Sequence, residues 1–332
     1  MTADAHARGA AELAVVVPTH QTRELTVSCL TSVVAADPGI EIVVVDDGST
    51  DGTAETVLRR FPAVRLVRNE ERRGFTPSAN RGVAASTAPV VLLLNSDTEV
   101  PRDTAKRLRA AFAADPRLAI AGAQLVYPDG TRQWSGGREP GLAWFFLLGT
   151  GGGRFLSHLR RTPRDVPAGS AREVGWVSGA AFAARRDAWD AIGGLDERFG
   201  FYAQDLDLCL RCREAGWSVA LLPDLHVVHH HGATIGRLDP SRQVRRQQPD
   251  LLWCDLLLWA ELRRGRAWAR RAKTALRIGV RLRLLARAAA RPFTPEDRLA
   301  VYRAETAALR AALRAVYAPR RPAAGGGRTG ER

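Results

Sequence analysis

The chain has 332 residues, 45% of them hydrophobic, and a formal net charge of +14, enough for a main domain with a large core plus an appendage. The charge is uneven, since residues 1–261 carry 30 Lys and Arg against 31 Asp and Glu while residues 262–332 carry 19 against 4. A main domain that binds nucleic acid by bulk charge is thereby excluded, and the basic tail is left as a surface for phosphate groups, of lipid or of polynucleotide.

Residues 1–12 are polar and Ala-rich, without an apolar leader, which predicts a protein that starts in the cytoplasm. Residues 13–17 are an apolar run stopped by Pro18, Thr19 and His20, the pattern of a buried strand entering a loop. The spacing of Leu25, Val27, Leu30, Val33 and Val34 predicts a helix over 24–35. A second buried strand is expected over 40–45 and a second helix over 51–61, capped by Ser49, Thr50 or Asp51. A third strand at 64–68, a third helix at 77–86 and a fourth strand at 90–94 continue the alternation. Such alternation predicts a parallel sheet with helices on both faces and ligands beyond the carboxyl ends of the strands. Those ends carry Pro18-Thr19-His20, Asp46-Asp47-Gly48-Ser49 and Asn95-Ser96-Asp97. No Gly-x-Gly-x-x-Gly follows the first strand and no Gly-Lys-Ser/Thr loop occurs, which argues against a dinucleotide dehydrogenase and a P-loop NTPase.

A helix over 103–114 and a strand over 119–127 follow. Residues 128–172, rich in Gly, Arg and aromatics such as Trp134, Trp144, Phe145 and Phe146, are expected to form an ordered, partly mobile acceptor loop. After Trp176-Val177-Ser178-Gly179-Ala180 comes a helix ending at Ile192, then the stretch 195–211. There Asp205 and Asp207 follow an aromatic turn and open an apolar helical run. Leu206, Leu208 and Leu210 help to anchor the helix while Asp205 faces a cleft, ready to take a proton. Asp207 and Arg211 brace the helix. Cys209 and Cys212 fall in the same pattern with no second pair at zinc-finger spacing, so reduced, partly buried thiols are expected. Residues 218–222 read as strand, and 224–228 lead into His229, His230 and His231.

From Leu262 onward the chain reads as helical and arginine-heavy. Ala275, Ile278, Leu282, Leu285 and Ala289 make one apolar stripe, with Arg277, Arg281, Arg283 and Arg287 elsewhere around the helix. This helix either lies on an anionic membrane or packs its stripe on the main domain. No run reaches the ~20 apolar residues needed to span a bilayer; the longest are 142–148 and 251–258, and Asp255 interrupts the second. Residues 325–332 are expected to be disordered.

Taken in order, these signals resemble an inverting glycosyltransferase of family 2 with the GT-A nucleotide-sugar fold, and most of all bacterial rhamnosyltransferase-like members that act on cell-wall or surface polysaccharide. The resemblance implies a mixed α/β GT-A domain over 11–240, its nucleotide half about 11–98 and its acceptor half about 99–240, with a basic helical extension over 241–332. It places Pro18, Thr19 and His20 against the nucleotide, and lets Asp47, in preference to Asp46, accept from the uracil or thymine ring N–H. The plainer reading is that both acids only cap a turn. Arg73, Gly74 and Asn80 fall beside the ribose and diphosphate. Asn95-Ser96-Asp97 stands at the family's Asp-x-Asp motif, so that Asp97 would hold Mg²⁺ or Mn²⁺ against the sugar diphosphate, with Asn95 in place of the first aspartate.

Asp205 matches the family's catalytic base. Gln204 stands where a Glu is usual, and the missing charge is expected to make Asp205 more acidic. Of the three histidines before Gly232 and Thr234, His229 is the expected metal ligand, and Trp176, Ser178, Gly179 and Gln204 support the sugar and acceptor pocket. The implied partners are a dTDP- or UDP-linked donor, rhamnose first, a glycan or polyprenyl-linked acceptor, and the anionic inner face of the cell membrane, with no nucleic acid. The alternative is a non-catalytic relative in which Gln204 and Asn95 mark a decayed site.

Overall fold

Strand β1 (Leu13–Thr19) is buried along its whole length, as its run of Leu, Ala and Val requires of a central strand covered on both faces. In this computed structural model, residues 13–152, 171–230 and 249–317 are described. They divide into two units. The first holds the described residues up to 140, then 171–197 and 203–230; the second holds 141–152, 198–202 and 249–317.

In the first unit β1 pairs in parallel with β2 (Glu41–Asp47) and β4 (Val90–Leu94), and β2 with β3 (Arg65–Asn69). Helices α1 (Arg23–Ala36), α2 (Thr53–Arg60) and α3 (Phe75–Ala85) make the crossovers, at the places the sequence predicts within a few residues. The parallel rule ends at β4. Next to it lies β10 (Ala181–Arg185), antiparallel both to β4 and to β6 (Leu118–Val126). Ala180 accepts a hydrogen bond from the Asn95 amide at 2.9 Å, so β10 starts where β4 ends and must run back the other way. The full order is β3-β2-β1-β4-β10-β6-β11-β5, where β5 (Thr98–Glu99) pairs antiparallel with the long β11 (Ser218–His229).

The strand expected over 218–222 runs on through 224–228 to His229, with a register shift between Leu222 and His226. Pro223 explains the shift, since it has no N–H for the ladder. Short β7 (Gly136–Gly137) and β9 (Trp176–Val177) form a separate pair, while β8 (Arg172–Glu173) joins β11. Leu13, Val15 and Val17 of β1, Leu30 of α1, Leu92 and Leu94 of β4, and Leu108 and Phe112 of α4 (Thr104–Ala114) share one buried core. Each such side chain contributes about 1.5–3 kcal/mol, which fixes the strand ends and the loops they carry. Helices α6 (Arg186–Ile192) and α7 (Gln204–Glu214) complete the unit.

The second unit is helical: α5 (Leu142–Thr150), α8 (Pro249–Arg264), α9 (Arg266–Ala290) and α10 (Glu296–Tyr317). Part of the segment expected to be an irregular acceptor loop is therefore helix α5, and residues 153–170 of it lie outside the described residues. Phe145 is fully buried, its ring 5.8 Å from that of Trp268. Where α5 crosses α9, Gly149 faces the Leu276 carbonyl and Gly279 faces the Phe146 carbonyl so closely that a Cβ on either would clash.

The buried face of α9 is Ala272, Leu276, Gly279 and Val280. The stripe expected either to lie on a membrane or to pack on the main domain is open, with Ile278 48%, Leu282 49% and Leu285 67% exposed. Hydrophobic spacing marks a stripe but does not weigh the close approach that small residues allow, and here the close approach decided which face was buried. Asp255 is buried in α8 and accepts from the amides of Phe201 at 3.0 Å and Tyr202 at 2.8 Å, which explains the acid inside an apolar run. Residues 318–332, including the end expected to be disordered, lie outside the described residues.

Candidate active site

At the end of β1, Thr19 turns its hydroxyl inward, 2.8 Å from Thr22 Oγ1 and 2.7 Å from Thr26 Oγ1. Ser96 joins the same buried network, 2.9 Å from Thr22 Oγ1. The resemblance placed both beside the nucleotide sugar. Their hydroxyls tie the first and fourth strand ends together, because a buried hydroxyl must find a partner and the nearest ones are each other. Pro18 is buried within β1, paired with Val45. His20 remains half-buried at the rim, its Nδ1 2.7 Å from the Asp47 carbonyl. A carbonyl only accepts, so Nδ1 carries a proton.

At the end of β2, Asp46 is fully buried; its Oδ1 accepts from the Ser49 amide at 3.2 Å and its Oδ2 lies 3.3 Å from Arg68 Nε. Asp47 accepts from Asn69 Nδ2 at 2.7 Å, from the Arg73 amide at 2.8 Å and from the Gly74 amide at 2.8 Å. The residues expected beside ribose and diphosphate are thus held by Asp47 through their backbone, with Gly74 at φ +99° and the Arg73 side chain exposed. Asn80, expected in the same place, uses its amide differently. Its Nδ2 donates to the Leu195 carbonyl at 2.9 Å and its Oδ1 accepts the Leu195 amide at 3.0 Å, a two-point clamp on the segment that precedes α7.

The fourth strand end is a tight turn in which the Thr98 hydroxyl donates to the Asn95 carbonyl at 2.7 Å. It presents Asp97, only 2% exposed, with Oδ1 3.5 Å from Nε2 of His229, the last residue of β11. His230 is drawn elsewhere, its Nε2 2.9 Å from Glu99 Oε1, and this hydrogen bond holds the Glu99 carboxyl below its ordinary range. His231, Gly232 and Thr234 lie outside the described residues. Among the described residues no group of three or more His, Cys, Asp or Glu is arranged to hold a metal ion. The donor set of Asp97 and His229 still fits Mg²⁺ or Mn²⁺, which take only one or two protein groups when phosphate oxygens and water fill the remaining positions.

Asp205 opens α7 behind Ala203, which is held at φ +64°, a left-handed conformation uncommon outside glycine. Its Oδ2 accepts the Gly179 amide at 2.6 Å and its Oδ1 the Leu206 amide at 2.8 Å. Gly179 suits this contact because a Cβ there would lie 3.3 Å from the carboxylate. Burial raises the Asp205 pKa above the ordinary carboxylate value, and the two amides only partly oppose it. The expectation of a more acidic Asp205 weighed only the charge missing at Gln204; desolvation is the larger cause and acts the other way.

Since the Gly179 amide meets Asp205 and the neighbouring Ala180 carbonyl meets the Asn95 amide, a short run of backbone links the Asp205 carboxylate to the turn that carries Asp97. Gln204 is 7% exposed and its Oε1 accepts no hydrogen bond from any described residue. Ser178 donates its amide to the Ser135 carbonyl at 2.8 Å, and Trp176 donates Nε1 to the Arg138 carbonyl at 3.1 Å while packing edge-on to Trp134. Asp207 and Arg211 brace the helix as expected, through a 2.7 Å ion pair with no exposed surface on the carboxylate. Cys209 and Cys212 are free, buried thiols, Cys212 pushed up to about 12 by burial. Sequence reasoning missed Asn69, which orients Asp47, and Gln133, whose Oε1 lies 2.9 Å from His229 Nδ1. Neither belongs to a motif or a periodic pattern.

Glycosyl transferase family 2 is the family whose profile matches this chain, over residues 14–186. The chain is 32% identical over 222 residues to N-acetylglucosaminyl-diphospho-decaprenol L-rhamnosyltransferase of Mycobacterium tuberculosis, covering 62% of this chain and 71% of that one. In structure it is similar to a mannosyltransferase from Pyrobaculum calidifontis solved with GDP-Man and Mn²⁺, with a TM-score of 0.57 at 20% identity, covering 93% of this chain and 87% of the other. Residues 1–349 of TarS from S. aureus give a TM-score of 0.51 at 16% identity, covering 83% of this chain and 72% of that one. At such identities the structural likeness speaks for the fold alone, which is the mixed α/β GT-A sheet expected from the sequence.

Proposed function

The chain belongs to glycosyl transferase family 2, and we propose that it is an inverting enzyme that moves a sugar, rhamnose first, from a dTDP- or UDP-linked donor to a polyprenyl-linked or polysaccharide acceptor. The observation that carries the reading is Asp205, a carboxylate whose pKa is raised by burial and which sits one backbone link from the Asp97 turn. A raised pKa makes it a better proton acceptor than an ordinary surface carboxylate. The acceptor hydroxyl attacks the anomeric carbon from the face opposite the diphosphate and its proton passes to Asp205. The bond from that carbon to the diphosphate oxygen breaks, and the nucleoside diphosphate leaves with the electron pair. One displacement inverts the anomeric configuration.

A divalent cation held by Asp97 and His229 would neutralise charge on the departing diphosphate. Gln204 offers a buried acceptor, Oε1, to a hydroxyl of the donor or acceptor sugar, which answers its missing hydrogen bond. The rhamnose assignment and the lipid-linked acceptor take their support from the mycobacterial relative. Asp205→Asn is expected to lower turnover of dTDP-rhamnose by about 10²–10⁴-fold, the span for loss of a positioned base. Unchanged turnover in that variant would instead favour the non-catalytic, nucleotide-sugar-binding relative.

The helical unit supports peripheral binding to an anionic membrane. Arg277, Arg281, Arg310, Arg314 and Leu313 line a cavity of about 350 Å³, next in sequence to the exposed Ile278 and Leu282. Guanidinium groups beside exposed apolar side chains suit the headgroup region of a bilayer. No helix among the described residues is long and apolar enough to cross a membrane. At about 1 kcal/mol per basic residue, the pair Arg310→Gln and Arg314→Gln should weaken binding to phosphatidylglycerol vesicles roughly thirtyfold. Sedimentation that is equal for both proteins, or equal on phosphatidylcholine vesicles, would remove the membrane assignment.

A further inference from the structure

Beyond β6 the chain folds back on itself: the Tyr127 amide donates to the Thr131 carbonyl at 2.8 Å and the Gln133 amide to the Leu125 carbonyl at 2.9 Å. This turn carries the Gln133 side chain to His229, at the end of β11. Gln133 Nε2 donates to the His229 carbonyl at 2.6 Å and to the Val126 carbonyl at 3.2 Å. Carbonyl oxygens only accept, so this end of the amide is the nitrogen. The other end is therefore the oxygen, and it lies 2.9 Å from His229 Nδ1. An amide oxygen there calls for a proton on Nδ1.

In a neutral imidazole a proton on Nδ1 leaves the lone pair on Nε2. Nε2 is the atom 3.5 Å from Asp97 Oδ1. Two acceptors then face each other at a buried position, an arrangement that a positive charge relieves, either a second proton on the ring or a bound cation. His230 is set the opposite way, because the Glu99 carboxylate beside its Nε2 calls for the proton on that nitrogen. Adjacent histidines are thus given different tautomers by different partners, one suited to holding a cation and one to a structural hydrogen bond.

We propose that Gln133 is a positioning residue that fixes His229 in the Nδ1–H tautomer, so that Nε2 and Asp97 Oδ1 together form the protein's seat for a divalent cation. This rests on the metal reading above. Gln133 touches neither sugar nor diphosphate in the proposal; it acts through the imidazole, as outer partners of metal-bound histidines do. By reading both the backbone and the ring of one residue, it also fixes the ring's orientation at the strand end.

The test uses the full chain with histidine labelled in ¹⁵N and two variants, Gln133→Leu and Gln133→Glu. Side-chain nitrogen spectra without metal at neutral pH should give the Nδ1–H pattern for His229 in the unaltered protein, with a shift toward Nε2–H in Gln133→Leu. Mn²⁺ titration in the presence of UDP, followed by the electron-spin signal of free Mn²⁺, should find affinity lowered about 10–100-fold in Gln133→Leu. Gln133→Glu keeps an acceptor for Nδ1–H but sets an oxygen against two carbonyls, so it should retain the tautomer while losing stability. An Nε2–H pattern in the unaltered protein overturns the proposal, as does Gln133→Leu with both tautomer and Mn²⁺ affinity intact. If the unaltered protein shows the Nδ1–H pattern but binds no Mn²⁺, the metal reading fails and the seat proposed here fails with it, while the tautomer assignment to Gln133 stands on the spectra.

Discussion

At the end of β2 the chain answers its own acids: Asp47 accepts from one side-chain amide and two backbone amides, and Asp46 from the Ser49 amide, with Arg68 beside it. At the end of β4, Asp97 is as deeply buried, yet its Oδ1 faces the ring nitrogen of His229 at 3.5 Å, and in the proposal above Gln133 leaves that nitrogen its lone pair. Both loops end parallel strands of the same sheet. A carboxylate surrounded by donors holds its own loop, whereas one set against another acceptor is where we have proposed a cation. The difference teaches that burial alone does not identify a ligand residue; the sign of what surrounds it does.

Asp97→Asn should break the comparison most sharply. Its amide can donate to His229 Nε2, so the folded protein should keep its thermal stability without metal. Its response to Mn²⁺ in thermal shift with UDP should vanish, and kcat/KM should fall about 10²–10³-fold, the scale for losing one electrostatic partner of developing charge. A variant that retained full Mn²⁺-dependent turnover would remove the distinction between the loops.

Asp47→Asn should show the reverse. An amide nitrogen must replace one oxygen and so confront either the Gly74 amide or the pair from Asn69 and Arg73, at a cost of about 1–3 kcal/mol for a buried donor left unmade. Denaturant unfolding should register that loss with and without metal. An unchanged midpoint would mean that the loop is not held by this carboxylate.

The smallest effect concerns Asp205, which stands between the two cases, half-buried and with one backbone amide on each oxygen. Because burial raises its pKa, it stays protonated to a higher pH than an ordinary carboxylate, and the protonated form cannot accept the acceptor's proton. The rate should therefore fall as pH drops through a limb placed above the usual carboxylate range, by at most about tenfold per pH unit. A limb at or below the ordinary value would show the amides outweighing desolvation.

Much of the first unit was legible in the sequence, because parallel strands covered on both faces leave continuous apolar runs and their polar loops follow at once. That reasoning located β1 to β4, the three strand-end loops and Asp205 at the start of an apolar helix. It placed Thr19, Ser96 and Asn80 beside the nucleotide sugar but gave no sign of the partners their side chains meet 3 to 115 residues away. Such partners have no signature in local spacing. Nor does spacing show that Gly279 and Ala272, rather than the larger apolar stripe, face inward in α9.

The sequence by itself determined the order of strands and helices, the family, and which acids stand at strand ends, since local apolar pattern and turn chemistry act over a few neighbouring residues. Only the tertiary structure decided which groups each of those acids meets and which histidine lies between Asp97 and Gln133. Those properties depend on donors and acceptors that arrive from distant parts of the chain, such as Gln133 at His229, 96 residues apart in sequence.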